Sequence, residues 1–540
     1  MRFLWAYHFL SFGVLGFSKL LHSIDGLKNT KYDFVIAGAG TAGSVLANRL
    51  SEDGSYRVLV IEAGVDNANI QNIIVPFIGP TALNTIVDWN FTSSPQVGLF
   101  NRTIPLERGH VLGGSSSINF MAWNRGSDDL WDNFARLSND SGWSWSSVAK
   151  FDLKVSRLTP PTDGRNTTGE VIPSVHGNGP VLTSLPGYPS EIDPLVVGTA
   201  KSLGGRFKYN EDNNAGDMIG FGHLQSSVGN GERSSAATAY LVPAINRPNL
   251  DVVINSRALK LYASQTAVDG VPKIDILEVA QSANGPRVNV TGTKEVILSA
   301  GVFGTPQILL LSGIGPKEEL TKLNIPVLLE SPDVGKHLTD HPLLPGYFVV
   351  DSHNGTDPIQ RNSTLLAELL QEWETSRTGI MVNPAGGGMV AFLKNPPDFF
   401  GGFDPSSGPR SGNTEMIFGL YTTDYDIQSM IQVMKDVDNF LSQPAWNGFV
   451  LRPLFDFAND DEREIFARNN SRTVDHCIGT ARMGPGGVEG GVVDSQLRVK
   501  GVKGLRVVDA SVFPQIPENH PQAVAYILAE RASDLIKSSH

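Results

Sequence analysis

The sequence predicts an α/β protein in which a parallel, doubly wound sheet is interleaved with a second, α+β domain. Near the N-terminus two short apolar runs, Lys31–Ala37 and Arg57–Glu62, flank one helical pattern and form a β-α-β unit. Two further runs of the same buried-strand character, Glu295–Ala300 and Leu505–Asp509, recur far downstream, so pieces distant in the chain complete the sheet. Between them the texture changes. Residues 156–224 are rich in Pro, Gly, Thr and Asn, and residues 343–474 mix strand-like runs with a helical pattern from Asp426 to Leu441. The expected division gives 31–155, 225–342 and 475–540 to the sheet domain, and 156–224 with 343–474 to the second domain.

A chain of 540 residues is several times the usual domain of about 150, which leaves room for two or three domains and a large core. Its 43 Lys+Arg against 55 Asp+Glu give a net charge of −12 without a basic run, which argues against a nucleic-acid partner. The single cysteine, Cys477, excludes an intrachain disulfide and a Cys-based metal site. Arg2 followed by the apolar stretch Leu4 to Phe17 reads as a secretory leader over residues 1–23, too short for a stable membrane span in the mature chain. The expected location is therefore extracellular. Asn-x-Ser/Thr sequons at Asn90, Asn101, Asn139, Asn166, Asn289, Asn354, Asn362 and Asn469 are compatible with export as a glycoprotein.

The first strand ends in glycine, and a helix from Thr41 to Glu52 follows, with Ala42, Val45, Leu46 and Leu50 on one face. The turn between them is Gly38-Ala-Gly40-Thr41-Ala42-Gly43, and Glu62 closes the next strand ahead of Ala63. Glycines permit a tight turn and close approach to a pyrophosphate, the helix N-terminus offers N–H donors, and the acid can accept from ribose hydroxyls. This points to a dinucleotide but does not separate NAD from FAD. The separating feature is Arg108-Gly-His-Val-Leu-Gly113-Gly-Ser-Ser-Ser117-Ile-Asn119, whose glycine pair and serines offer unhindered donors to a flavin diphosphate and ring edge.

With these motifs the chain resembles the glucose–methanol–choline (GMC) family of FAD-dependent oxidoreductases, and within it the secreted fungal aryl-alcohol oxidase-like branch. The resemblance continues, in the family's order, through Ser299-Ala-Gly-Val-Phe-Gly-Thr-Pro, Gly335-Lys-His-Leu-Thr-Asp-His-Pro342, His476-Cys-Ile-Gly-Thr-Ala-Arg-Met483, and Val508-Asp-Ala-Ser511 to Asn519-His-Pro-Gln522. It implies a Rossmann-like FAD-binding domain whose cofactor contacts include Gly38, Gly40, Thr41, Ala42, Gly43, Glu62, Ala63, Gly113, Ser117, Asn119, Phe120, Met121, Ala122, Asp509, Ala510, Pro521 and Gln522. It implies that His476 and His520 face the flavin's reactive side, His476 as base and His520 orienting the alcohol oxygen, with the two roles open to exchange. Ile118 stands where some relatives attach FAD through histidine, so non-covalent FAD is expected.

The implied reaction is oxidation of a primary alcohol, aromatic or allylic, to the aldehyde, with hydride passing to flavin N5 and then to dioxygen or a quinone. A sugar or choline-type dehydrogenase and a non-catalytic FAD-binding remnant are the alternatives. Asp475 replaces the aromatic residue that precedes the histidine in the aryl-alcohol oxidases, and strand alternation would turn it away from the imidazole. The second domain reads as shortened near 413–425, where Glu415–Tyr421 runs almost directly into the Asp426 helix. The i, i+4 pair His337 and His341 has the look of metal ligands, but its Asp-His-Pro context fits the family's exit from the flavin domain, and no metal is expected. Cys477 reads as a small buried filler, and Trp123, Trp131, Trp143 and Trp145 as core.

Overall fold

In the computed structural model, described for residues 20–266, 270–352, 354–384, 387–397, 399, 419–485 and 490–540, the two N-terminal apolar runs become neighbouring parallel strands. The eight strands of the main sheet are β1 (Leu20–Leu21), β2 (Lys31–Ala37), β3 (Val58–Ile61), β4 (Leu250–Val253), β5 (Arg257–Thr266), β6 (Pro272–Ala280), β7 (Val288–Leu298) and β8 (Leu505–Val507). Their order is β1-β4-β3-β2-β7-β6-β5, with β8 added beside the end of β7. β1, β4, β3, β2, the end of β7 and β8 run parallel, and β5, β6 and the start of β7 form an antiparallel meander. All of Val58–Ile61 is buried because helices and loops cover both faces, which is why these strands read as continuous apolar runs.

All four sequence-predicted strands lie in the parallel part of this sheet. β1, β4, β5, β6 and the first half of β7 were not expected. β4 escapes pattern reading because it is four residues long and carries Asp251, which accepts a hydrogen bond from the Tyr32 hydroxyl at 2.8 Å. β7 begins well before Glu295: its first half pairs with β6, its register shifts between Gly292 and Glu295, and its second half joins β2 and β8.

Helix α1 (Thr41–Ser51) is buried at every residue but Thr41 and Arg49. It lies between the sheet and α3 (Gln522–Ser538), and Arg49 closes that contact by donating from Nη2 to the buried Glu530 at 2.7 Å. Helix α2 (Gly301–Leu311) follows β7 as α1 follows β2. The expected core tryptophans are core: Trp123, Trp131 and Trp143 are buried, and Trp145 lies under the Arg125 guanidinium at 3.8 Å.

Outside the sheet, short antiparallel pairs join chain segments far apart: Gly220–His223 with Met389–Phe392, Phe348–Val350 with Val450–Pro453, and Pro342–Leu343 with Arg472–Thr473. The helix expected from Asp426 starts at Asp424, because the Thr423 hydroxyl caps it by accepting from Asp426 N at 3.2 Å. Residues 20–23, the end of the expected leader, include β1, which pairs with Val252 and Val253. Residues 1–19 of that leader, and 413–418 of the segment expected to be shortened, lie outside the described residues.

Candidate active site

The parallel strands β2, β7 and β8 end side by side, and their turns carry the expected motifs. Gly38 has φ +106°, and a Cβ there would meet Ser299 O at 2.3 Å, while a Cβ on Gly43 would meet Gly38 O at 1.9 Å. Only glycine lets this turn close against α1. Thr41 and Ala42 form the first turn of α1, where free backbone N–H groups and the positive end of the helix dipole make an anion cradle. Glu62 pins the turn, with Oε2 accepting from Ala39 N and Oε1 from Gly64 N, both at 2.8 Å. Burial pushes its carboxyl up to about 7 despite these bonds. Each carboxylate oxygen keeps a second lone pair for a hydroxyl.

The glycine–serine loop packs onto this turn. Gly113 N donates to Ala39 O at 2.8 Å, and a Cβ on Gly114 would meet Gly40 Cα at 2.7 Å. Ser117 Oγ bonds back to Leu112 O at 2.7 Å. On the other side, Asp509 joins the remaining turns: Oδ2 accepts from Gly301 N at 2.9 Å and Thr305 Oγ1 at 2.6 Å, and Oδ1 accepts from Ser511 N at 2.8 Å. Ala510 begins the helical turn that this carboxylate caps.

Residues 119–124 tie the cradle to the start of α3. Asn119 Nδ2 donates to Gln522 Oε1 at 2.9 Å, and Gln522 Nε2 donates to Ala122 O at 3.0 Å. Met121 takes a left-handed φ of +64° within this loop, held by its N–H to Asn119 Oδ1 at 3.1 Å, while Phe120 is 43% exposed. Pro521 precedes the first turn of α3. Next to it, His520 Nδ1 meets Asn124 Oδ1 at 3.0 Å, so one loop positions both the Gln522 contacts and an imidazole.

His476 arrives from the other side, its ring centroid 5.0 Å from that of His520 at an interplanar angle of 80°. A third imidazole completes the group, with His341 Nδ1 at 3.1 Å from His476 Nδ1. A single buried carboxylate mounts two of them: Asp340 Oδ1 accepts from both His341 N and His476 N at 2.8 Å, while Oδ2 takes Thr473 Oγ1 and Cys477 Sγ. Burial raises the Asp340 carboxyl, and its hydrogen-bond donors, Thr473 first, together with the charge of Arg108, oppose that rise. All three imidazoles are held neutral. Burial lowers His341 and His520 to about 4, and lowers His476 well below the ordinary histidine value, with added repulsion from His520, His341 and Arg108.

Asp475 does turn away from the imidazole, but not by strand alternation. It sits at φ +64°, where its carboxylate accepts from Glu107 N at 3.0 Å and Arg108 Nη2 at 3.3 Å. Cys477 is buried with its thiol pushed well up by burial, so it is no thiolate nucleophile. His337 pairs with Asp333 Oδ1 at 2.8 Å, whereas His341 meets His476. Among the described residues no group of three or more His, Cys, Asp or Glu is placed to hold a metal.

Sequence reasoning missed His341, Asn124 and Arg233. The signal for His341 was the Asp-His-Pro motif itself. Arg233 carried none; it is buried, its Nη1 donates to Asn119 O at 2.7 Å and Oδ1 at 2.8 Å, and burial lowers it to about 9.

Comparison with known proteins matches residues 32–343 to the N-terminal and residues 405–529 to the C-terminal part of the GMC oxidoreductases. The chain belongs to the GMC oxidoreductase family. It is 35% identical to the dehydrogenase eriK of Hericium erinaceus over 95% of both chains. It is 32% identical to pyranose dehydrogenase 3 of Leucoagaricus meleagris over 99% of this chain and 98% of that one. An FAD-dependent oxidoreductase of Chaetomium thermophilum superposes with a TM-score of 0.83 at 28% identity, covering 94% of this chain and 99% of its own. A fungal aryl-alcohol oxidase shares the fold, with a TM-score of 0.80 at 24% identity over 95% and 99% of the two chains. This GMC protein is thus an FAD-dependent oxidoreductase acting on CH–OH groups, built on a Rossmann-like FAD-binding domain. Its alignments to relatives run over 578 to 617 positions against its own 540 residues, so those relatives carry residues it lacks.

Proposed function

We propose that the protein oxidises a primary alcohol, aromatic or allylic, to the aldehyde, and passes the electrons to dioxygen or a quinone. The observation that carries this reading is the close pair of neutral imidazoles, His520 anchored to Asn124 in the loop that follows the glycine–serine turn and His476 mounted on Asp340. Bound FAD supplies the hydride acceptor at N5. His476 is the base: His341 occupies its Nδ1, which leaves Nε2 for the hydroxyl proton, and a neutral ring is the form able to take it. His520 donates through Nδ1–H to Asn124 Oδ1 at 3.0 Å, so its Nε2 presents a lone pair that can hold the alcohol by accepting its hydroxyl hydrogen, and the roles of the two histidines stay open to exchange.

The cofactor fits the residues present. Gly38, Gly40, Thr41, Ala42, Gly43, Gly113 and Ser117 would hold the diphosphate, and Glu62 with Ala63 the adenosine side. Asn119 to Ala122, Asp509, Ala510, Pro521 and Gln522 would surround the flavin. Non-covalent FAD is part of this reading: Ile118, at the position where some relatives carry the attaching histidine, is 3% exposed and packs with Ile73, Ala82, Val87 and Val111, and its side chain has no atom able to form that bond. Export as a glycoprotein is supported by the exposure of every sequon asparagine, and the leader would end before Leu20, since β1 belongs to the sheet.

A sugar donor is the second reading, favoured by the 30–32% identity to several pyranose dehydrogenases and by Asp475 in place of a ring. Anaerobic mixing of the holoenzyme with benzylic and allylic alcohols, and with aldopyranoses, separates them through bleaching of the flavin absorbance. Bleaching by the alcohols is expected. Bleaching by the sugars alone would transfer the reading to sugar oxidation, and no bleaching by any donor would leave only a non-catalytic FAD-binding protein.

A further inference from the structure

We propose that Asp340 is a positioning residue for His476: its carboxylate fills a bulge in the strand pair that carries the histidine, and so sets where the imidazole points. The proposal rests on the alcohol-oxidation reading above in taking His476 as a ring that meets the substrate. The evidence is a break in register. Leu343 pairs with Arg472 and Pro342 with Thr473, but the next bridge along the two segments joins Thr339 to Ile478. An unbroken antiparallel ladder would set Thr339 opposite His476. Residues 340 and 341 therefore face the four residues 474–477, and the histidine side carries two residues too many.

The backbone bonds bracket this bulge without filling it. On one side Val474 N donates to His341 O at 3.3 Å; on the other, Ile478 N donates to Thr339 O at 3.0 Å and Thr339 N to Ile478 O at 3.3 Å. Between them side chains replace the ladder. Asp340 Oδ1 accepts from His476 N and His341 N, each at 2.8 Å, and Oδ2 accepts from the Thr473 hydroxyl and, at 3.4 Å, from Cys477 Sγ. All four contacts are donors, the arrangement that an ionised carboxylate satisfies. Asp475 N donates to Thr473 Oγ1 at 2.6 Å, and the chain turns at Asp475 with φ +64°, where Arg108 Nη2 donates to the Asp475 carbonyl at 2.6 Å. The extra residues are thus wrapped around one buried carboxylate, and His476 leaves the bulge with its ring 5.0 Å from that of His520. Asp340 touches neither alcohol nor flavin in this account; it acts through the place it gives the imidazole.

The test compares anaerobic flavin reduction by benzyl alcohol in wild-type holoenzyme, Asp340→Ala and Asp340→Asn, with FAD absorbance and melting temperature as folding controls. The alanine variant strands two buried N–H groups, whereas the asparagine variant keeps an oxygen for both and loses the charge. Asp340→Ala is expected to lose roughly 10²-fold in limiting rate with KM little changed, and Asp340→Asn to recover most of it. A carboxylate that only stabilises the fold would lower the melting temperature and leave the limiting rate of the folded holoenzyme unchanged, which would overturn the proposal. An asparagine variant as slow as the alanine one, with FAD normally bound, would overturn it too. Should Asp340→Ala fail to fold, Thr473→Val takes its place, since it keeps the side-chain shape and removes the hydroxyl shared by Asp340 and Asp475 N: a slower limiting rate supports the proposal, and the wild-type rate contradicts it. Should the wild type itself be reduced by no donor, the alcohol reading fails on its own, and crystal structures of the folded variants decide this inference without turnover. A His476 ring displaced from its wild-type distance to His520 in the alanine variant and restored in the asparagine variant supports it; an unmoved ring contradicts it.

Discussion

The parallel sheet and the paired ribbons beside it are built on different physical terms. In the sheet, Val58–Ile61 is buried at every position and both neighbours are paired, so each residue is held by ladder and core together. Among the described residues the Phe348–Val350 and Val450–Pro453 ribbon pairs only with itself, and Leu451 at 58%, Leu454 at 49% and nearby Ile465 at 54% stay exposed. The lesson is a division of labour. The end of the sheet that carries the glycine turns is over-determined, while the segments outside the sheet rest on small, separate clusters such as that of Phe221 and Phe440, whose rings stack at 4.2 Å.

The strongest way to break the sheet side is Gly43→Val. Its Cβ would lie 1.9 Å from Gly38 O, a backbone atom that cannot yield, so loss of FAD retention and a stability loss of more than about 3 kcal/mol are expected in denaturant titration. Leu59→Ala, in the middle of β3, should cost about 2–5 kcal/mol by the same measurement. At the seam between the two regions, the acid limb of flavin reduction is displaced. A buried imidazole whose pKa is lowered stays neutral below the ordinary 6.5, so with His476 held well below that value the rate should hold through 6.5 and fall only at more acid pH. A limb centred at 6.5 would mean that the imidazoles are solvated. On the ribbon, Leu451→Ala should change stability by no more than about 0.5 kcal/mol, because an exposed side chain leaves no cavity.

The same contrast explains what could be read from the sequence. The β2-turn-α1 unit, the later strands and the glycine loops are local patterns, in which apolar runs and glycine positions are set by steric needs within a few residues. His476 and His520 were legible through their motifs, yet what surrounds them was not. His341 meets His476 across 135 residues of chain, and Asn124 meets His520 across 396, separations that no periodicity encodes. Asp475 shows the limit from another side: the expectation that it avoids the imidazole held, but a left-handed backbone produced it rather than a strand. β4 and the dual pairing of β7 were hidden for the same reason, since the partner strands and not the residues themselves fix them.

The central claim is that His476 takes a proton from an alcohol as the flavin beside it is reduced. Stopped-flow reduction of bound FAD by a saturating alcohol without oxygen, in wild-type protein and His476→Ala, tests it most directly. The account predicts rapid bleaching in the wild type and a fall of about 10³-fold in His476→Ala, with the oxidised FAD spectrum and occupancy unchanged. Equal rates in the two proteins would contradict it.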